Sequence, residues 1–372
     1  MKKIFFSIVA LAALAACSKT EVAYESPQEI GFVAVANNIT KAPVSGATYP
    51  TELNMYINAY VHASTIPTTP DYINNGEFTH RSTQVEGKEV WGGTTPYYWP
   101  NEQTLHFSGY SKSGSFTSAS YNPSTDALTI NGYTPSVGTD LGANDLMWFP
   151  STKYTATTGY GKATKYVPVN MYHACSWITF LVQGDATTGG SSSTYKINSL
   201  TMNGVDMTAN VVCTGNTALA QNTLSQYVVW SENTTQTGDN TTYSVTLPSG
   251  GIELKSTYTT VQTPKNIETD LADDAETLLI NEATVGGNIV VIPQTPGSIS
   301  LAWTYKSPAD KQVEDSATDL SLKLNDANTL DWEPGKHYVY TITVTATEIL
   351  IAPTPVEWVD GDMNGHGGVT VQ

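Results

Sequence analysis

Apolar and polar side chains alternate with a period of two through most of this chain. Between residues 338 and 345, Tyr338, Tyr340, Ile342 and Val344 fall on one side and Thr341, Thr343 and Thr345 on the other, the pattern of a strand with one buried face. The same period recurs at Leu53/Met55/Ile57/Ala59/Val61, Leu105/Phe107, Tyr243/Val245/Leu247, Ile299/Leu301/Trp303 and Leu320/Leu322/Leu324, each bounded by Gly, Pro, Asn or Ser. Antiparallel sheets with one wet face produce this alternation. Residues 30–36 differ, being apolar in both phases of the period, as a strand covered on both faces is. Only residues 267–280 read as a short helix, and their period is ambiguous. No segment repeats at a fixed spacing, which argues against a propeller or solenoid. The expected fold is all-β, with two tandem antiparallel β-sandwich domains.

The boundary between the two is placed at residues 183–194, QGDATTGGSSST, directly after the apolar run 177–182. This stretch also reads as a long hairpin loop. As a linker it divides an N-terminal sandwich, 42–185, from a C-terminal one, 186–348. That leaves roughly 150 residues for each, enough for seven to nine strands.

The start of the chain is of another kind. Lys2 and Lys3 precede an apolar run over residues 4–16, and Leu14-Ala15-Ala16-Cys17 has the aliphatic, small, small, cysteine order of a bacterial lipobox. This run of thirteen residues, broken only by Ser7, is too short for the roughly 20 that span a bilayer. The reading is a signal peptide, 1–16, whose removal leaves Cys17 as the lipid attachment site. The chain is then an outer-membrane lipoprotein precursor, held to the membrane only through its lipid.

Composition narrows the partners. Charged residues are only 14% and hydrophobic ones 40% of the chain, with tracts of Thr, Ser, Asn and Gly between, which excludes a coiled coil or a disordered tail. The net charge of −17 would repel phosphate backbones, so nucleic acid is not an expected partner. Three cysteines cannot staple a chain this long. With Cys17 assigned to lipid, Cys175 and Cys213 remain, and whether they pair depends on a separation that the sequence does not give.

Catalytic patterns are weak. His62, His80, His106, His173, His337 and His366 fall in no metal-binding spacing. Ser193-Thr194-Tyr195-Lys196 matches S-x-x-K without the companion elements that serine acylation requires. Asp360-Gly361-Asp362-Met363-Asn364-Gly365 copies half a calcium loop, but Val371 stands where a closing Glu belongs. The expectation is no enzyme, no cofactor and no metal. The 21 Tyr and 8 Trp fill strands and cores in any all-β protein, or, if exposed, stack on sugar rings.

Several segments resemble the fimbrillin family, the subunits of type V pili in Bacteroidales. They are the lipobox cysteine, Gln28-Glu29-Ile30-Gly31-Phe32 running on to Ile39-Thr40-Lys41-Ala42, and Tyr97-Tyr98-Trp99-Pro100 leading to Leu105-His106-Phe107-Ser108-Gly109-Tyr110-Ser111. Asn144-Asp145-Leu146-Met147-Trp148, Met171-Tyr172-His173-Ala174-Cys175-Ser176-Trp177-Ile178 and residues 332–340 follow in the family's order. The resemblance implies two tandem β-sandwiches, export as a lipoprotein, and cleavage by a trypsin-like protease after a basic residue beyond the first strand. A neighbouring subunit's C-terminal strand then fills the vacated groove.

On that reading residues 17–41 are a propeptide, Ile30, Phe32, Val33 and Val35 mark the displaced strand, and Lys41-Ala42 is the processing site, in a polar loop with Pro43, Ser45 and Gly46. Lys41 also reads as a plain surface lysine. The best-known members are cut after arginine, whereas the only arginine here is Arg81. Residues 349–372 are the candidate donor segment, with Val356, Trp358, Val369 and Val371 as its apolar positions and a Gly-rich hinge over 360–368. Extended, at about 3.3 Å per residue, it reaches up to roughly 80 Å. It also reads as a last strand folded onto its own domain. Two functions stay open: a structural fimbrial subunit that polymerises with other subunits and supports adhesion, and a monomeric surface lipoprotein or tip adhesin that binds glycan through exposed aromatics. No motif names a receptor.

Overall fold

The computed structural model describes residues 28–36, 49–62, 65–85, 87–100, 103–111, 114–135, 145–155, 166–184, 194–215, 221–232, 242–245, 247, 251–254, 278–279, 289–295, 297–306, 312–321, 331–344 and 349–357. Alternating residues build strands nearly everywhere among them. The exception to the expected list is a short 3-10 helix, Gln221–Gln226. Of the expected helix at 267–280, Leu278–Leu279 is a strand, and the rest lies outside the described residues.

Seven strands close into a barrel: β1 (Gly31–Ala36), β2 (Met55–Val61), β3 (Ile73–Val85), β4 (Lys88–Gly93), β5 (Thr104–Ser111), β8 (Met147–Thr155) and β9 (Tyr166–His173), in the order β1-β4-β3-β2-β5-β8-β9. A sandwich leaves its sheet edges open, whereas here β1 lies between β4 and β9 and removes both edges. The barrel interior is filled by alternate residues, including Phe32, Met55, Ile57, Phe78, Trp91, Phe107, Phe149 and Val167. Trp91 is wholly buried and its indole Nε1 donates to Leu53 O at 3.0 Å, which satisfies the one polar atom it carries into the core.

The second half is a sandwich of two sheets. One holds β10 (Ser176–Gly184), β16 (Leu278–Leu279), β17 (Ile289–Val291), β20 (Lys336–Val344) and β21 (Ile349–Glu357). The other holds β11 (Thr194–Asn203), β14 (Tyr243–Val245), β15 (Ile252–Leu254), β18 (Ser298–Lys306) and β19 (Gln312–Ser321). Ile178 and Phe180 from β10 and Tyr338, Tyr340 and Ile342 from β20 face Ile197, Leu200 and Met202 from β11 and Ile299 and Leu301 from β18. Trp332 joins this core and donates from Nε1 to Tyr340 Oη at 2.8 Å.

Between the two lies a four-stranded sheet, β13-β12-β7-β6, formed by β6 (Ser118–Asn122), β7 (Ala127–Tyr133), β12 (Ala209–Thr214) and β13 (Val228–Glu232). Strands from both sides of residues 183–194 therefore pair with one another: Val211 lies opposite Ile130 and Cys213 opposite Leu128. A third core joins this sheet to the outside of the barrel and to the sandwich, with Tyr60, Tyr110, Trp148, Tyr172, Cys175, Trp177, Val211 and Val290 in contact. Among the described residues two ladders are parallel, β1 with β9 and β10 with β20.

The buried phenols set an alkaline limit. Burial pushes Tyr110, Tyr121 and Tyr338 well above the ordinary tyrosine value, and raises Tyr340 to about 12, opposed by the hydrogen bond from Trp332. A pKa raised in the folded state gives stability that is complete below the unfolded value of about 10 and lost as pH rises through the folded value. The melting temperature is therefore expected to be level from pH 8 to 9 and to fall steeply between pH 10 and 12. Tyr340→Phe, which leaves Trp332 Nε1 without its acceptor, is expected to cost about 1–3 kcal/mol at pH 7, read by urea unfolding.

Candidate functional site

The strand that closes the barrel is also the first one described in the chain. β1 runs antiparallel to β4 through Gly31↔Gly92 and Phe32↔Trp91, and parallel to β9 from Gly31↔Tyr166 to Ala36↔Met171. Phe32 and Ala34 of β1, and Ile30 just ahead of it, are buried in the barrel core. Phe32 sits edge-on to Phe78 at 5.1 Å and to Phe107 at 5.3 Å, with Phe149 at 6.3 Å. Burying such a ring stabilises the closed barrel by roughly 1.5–3 kcal/mol. Val33, in the opposite phase, is half-buried.

Gly31 has a steric reason. A Cβ there would stand 2.6 Å from Tyr166 Cδ1 and 3.2 Å from Trp91 O, so the ring of Tyr166 covers this position only because it carries no side chain. Ahead of β1, Gln28 to Ile30 are strapped to the Tyr97-Tyr98-Trp99 segment. Ile30 N donates to Tyr97 O at 2.7 Å, Trp99 N donates to Gln28 O at 2.9 Å, and Glu29 bridges Tyr98. Arg81 reaches over the same place, donating to Gly93 O at 2.7 Å and to Glu29 Oε1 at 3.3 Å. Both charged side chains of that pair are nearly half exposed, so it adds little to stability.

Of the residues assigned to the site from sequence, Phe32, Val33 and Val35 lie in β1 and Ile30 directly precedes it. Val356 lies in β21, which pairs antiparallel with β20 of its own sheet, Val356 opposite His337. Cys17, Lys41, Ala42, Trp358, Val369 and Val371 lie outside the described residues, as does the half calcium loop. Sequence reasoning named Arg81 and Tyr97-Tyr98-Trp99 without placing them against β1, and it did not find Tyr166. A glycine inside an apolar run was the one available signal, since glycine weakens a strand unless something packs closely on it.

One buried cluster has the residue types of a nucleophilic site but the opposite electrostatics. His173 Nδ1 is hydrogen-bonded to Asp145 Oδ2, with both residues buried, and the Cys175 thiol lies beside the same carboxylate. Burial, reinforced by Asp145, pushes the Cys175 thiol well up, whereas a nucleophile needs it lowered and exposed. Burial raises Cys213 similarly, and both thiols are free. Trp177 stacks on buried His337 at 3.6 Å, and His337 Nε2 is hydrogen-bonded to Thr179 Oγ1 at 2.7 Å. Most aromatic side chains among the described residues fill these cores, and the exposed large hydrophobics among them are Ile66, Tyr98 and Val229. No helix among the described residues is long and apolar enough to cross a membrane.

Comparison with known proteins gives this geometry a context. A family model for fimbrillin-like proteins matches residues 40–358, and a model of the prokaryotic membrane lipoprotein lipid attachment site matches residues 1–18. Among solved structures, a fimbrial protein from Bacteroides vulgatus superposes with a TM-score of 0.53 at 14% identity, covering 88% of this chain and 99% of that one. A candidate cell adhesion protein from Bacteroides ovatus gives 0.46 at 11% over 90% and 99%, and the fimbrial anchor protein Mfa2 from Porphyromonas gingivalis 0.35 at 10% over 90% and 99%. No curated protein sequence matches. The chain belongs to the fimbrillin-like family, and it is a surface lipoprotein.

The two kinds of contact on β1 differ in weight. Phe32→Ala in the full-length chain is expected to cost about 3–5 kcal/mol in urea unfolding, and Arg81→Ala less than about 1 kcal/mol. Equal losses in the two variants would mean that the strap, rather than the core, holds the strand.

Proposed function

We propose that this fimbrillin-like chain is a structural subunit of a cell-surface fimbrium, assembled by strand exchange at the barrel slot that β1 occupies. Family membership supports the subunit role, and the lipid attachment site supports delivery to the surface through Cys17. The observation that carries the exchange is the position of β1. It is the barrel's closing strand, and in sequence it joins the strands it pairs with only through residues 37–48. One cut in that connection, after Lys41 and before Ala42, separates β1 covalently from everything it pairs with. Its loss leaves β4 and β9 with unpaired backbone edges and opens the aromatic box around Phe32 to water. A strand from a second subunit removes both penalties at once.

The donor in this reading is the C-terminal segment. In the isolated chain its first part is β21, held along β20 from Ile349 to Glu357. Exchange by Val356 requires that pairing to open, whereas Trp358, Val369 and Val371 follow it in sequence and need no such opening. The work is structural, with other subunits and a trypsin-like processing protease as the partners.

Trypsin-like cleavage of the purified full-length chain tests the reading. N-terminal sequencing is expected to show a new start at Ala42, and light scattering to rise from monomer to polymer only after the cut. Lys41→Gln is expected to stay monomeric under the same treatment. Quantitative cutting at Lys41 that leaves a monomer would sink the exchange reading while leaving the family untouched.

Truncation separates donor from fold. Deleting residues 358–372 spares β21, so the melting transition is expected to stay within about 2 °C of the parent, in line with a change well under 1 kcal/mol. Polymer formation after cleavage is expected to be lost. Growth of polymer from the truncated chain would place the donor elsewhere.

A further inference from the structure

We propose that His62 and His106 form a two-histidine site for a first-row divalent cation, Zn2+ or Ni2+, on the outer face of the barrel. His106 lies in β5 opposite Tyr60 of β2, and His62 follows β2 directly, its backbone N–H donating to Thr104 O at 2.9 Å. Side chains two apart share a face, so Tyr60, His62 and His106 point outward. Ala59, Leu105 and Phe107, in the other phase, fill the barrel core.

The two rings meet nitrogen to nitrogen. His106 Nε2 and His62 Nδ1 are 3.1 Å apart, with ring centroids at 5.0 Å and planes inclined by 17°. Without a cation, one ring donates its N–H to the lone pair of the other. Zinc–imidazole bonds of about 2.0–2.1 Å that enclose an angle of about 90–110° separate their nitrogens by about 2.9–3.4 Å. The observed spacing lies inside that range, so a cation can replace the shared proton after a small rotation of each ring.

The surroundings keep the pair available. His106 stacks on Tyr60 at 4.8 Å, which limits its ring motion. Burial, then His62, holds the His106 imidazole below its ordinary value, with Lys153 acting the same way and Asp126 opposing. The other described histidines have different partners: His80 is tied to Glu89 at 2.5 Å, His173 to Asp145 and His337 to Thr179. No group of three ligating side chains occurs among the described residues. The protein thus supplies two ligands, and water fills the remaining positions. A net charge of −17 favours the approach of any cation.

Isothermal titration calorimetry of the tag-free full-length chain with ZnCl2, and separately with NiCl2, tests the site. The expected result is one saturable site in the micromolar range. Affinity is expected to drop at least about tenfold in His106→Gln, with no change in His80→Gln. His62→Gln, at an exposed position, gives the same loss with little risk to folding, which the melting transition monitors. A parent chain without saturable binding, or equal affinity in the parent and His62→Gln, overturns the proposal.

Discussion

The closure of the barrel by β1 is the interaction on which the N-terminal half depends. Six residues supply one ladder to β9, a shorter one to β4, and the aromatic centre of the core in Phe32. The backbone hydrogen bonds and the apolar burial are inseparable here. A barrel lacking one strand has two exposed edges and a wet interior, and neither defect is repaired by repacking the six strands that remain. The Glu29–Arg81 pair sits at the surface and adds little to the hold on β1, whereas Tyr97 and Trp99 of the strap pack against the barrel core.

The second constraint is the core between barrel and sandwich. β6 and β7 come from the middle of the barrel sequence, β12 and β13 from within the sandwich sequence, and they share one sheet. Tyr60, Trp148, Cys175, Trp177 and Val290 pack where that sheet, the barrel and the sandwich meet. Domains joined by a linker alone turn freely on each other. Here each half contributes strands to the sheet between them, so a pull on one half is carried into the other through backbone hydrogen bonds and a dry interface. That is the mechanical property a fimbrial subunit needs.

The sequence revealed strands more readily than their partners. Period-two alternation located β2, β5, β14, β18 and β20, because a half-buried strand leaves that pattern wherever it lies. The pattern is the same for parallel and antiparallel neighbours, so the β1–β9 and β10–β20 ladders were invisible in it. The expected linker at 183–194 follows β10, whereas the chain passes from barrel to sandwich earlier, at Ala174 and Cys175 between β9 and β10. That crossing is buried: Ala174 N donates to Leu146 O, and Cys175 O accepts from Gly335 N. Small apolar residues fit such a place, and no Gly, Pro or Ser cluster marks it. At the site, the doubly apolar run of β1 was legible. The pairing of Arg81 with Glu29 was not, because only the fold brings them together.

The parallel ladder between β1 and β9 joins residue 31 to residue 166, and this separation has a kinetic meaning. Contacts between residues far apart in sequence form late, since a long loop must be closed before they repay its entropy. β1 precedes every other barrel strand in sequence, and β9 is the last of them. Among the barrel's ladders this one closes the longest loop, so it carries the largest closure entropy.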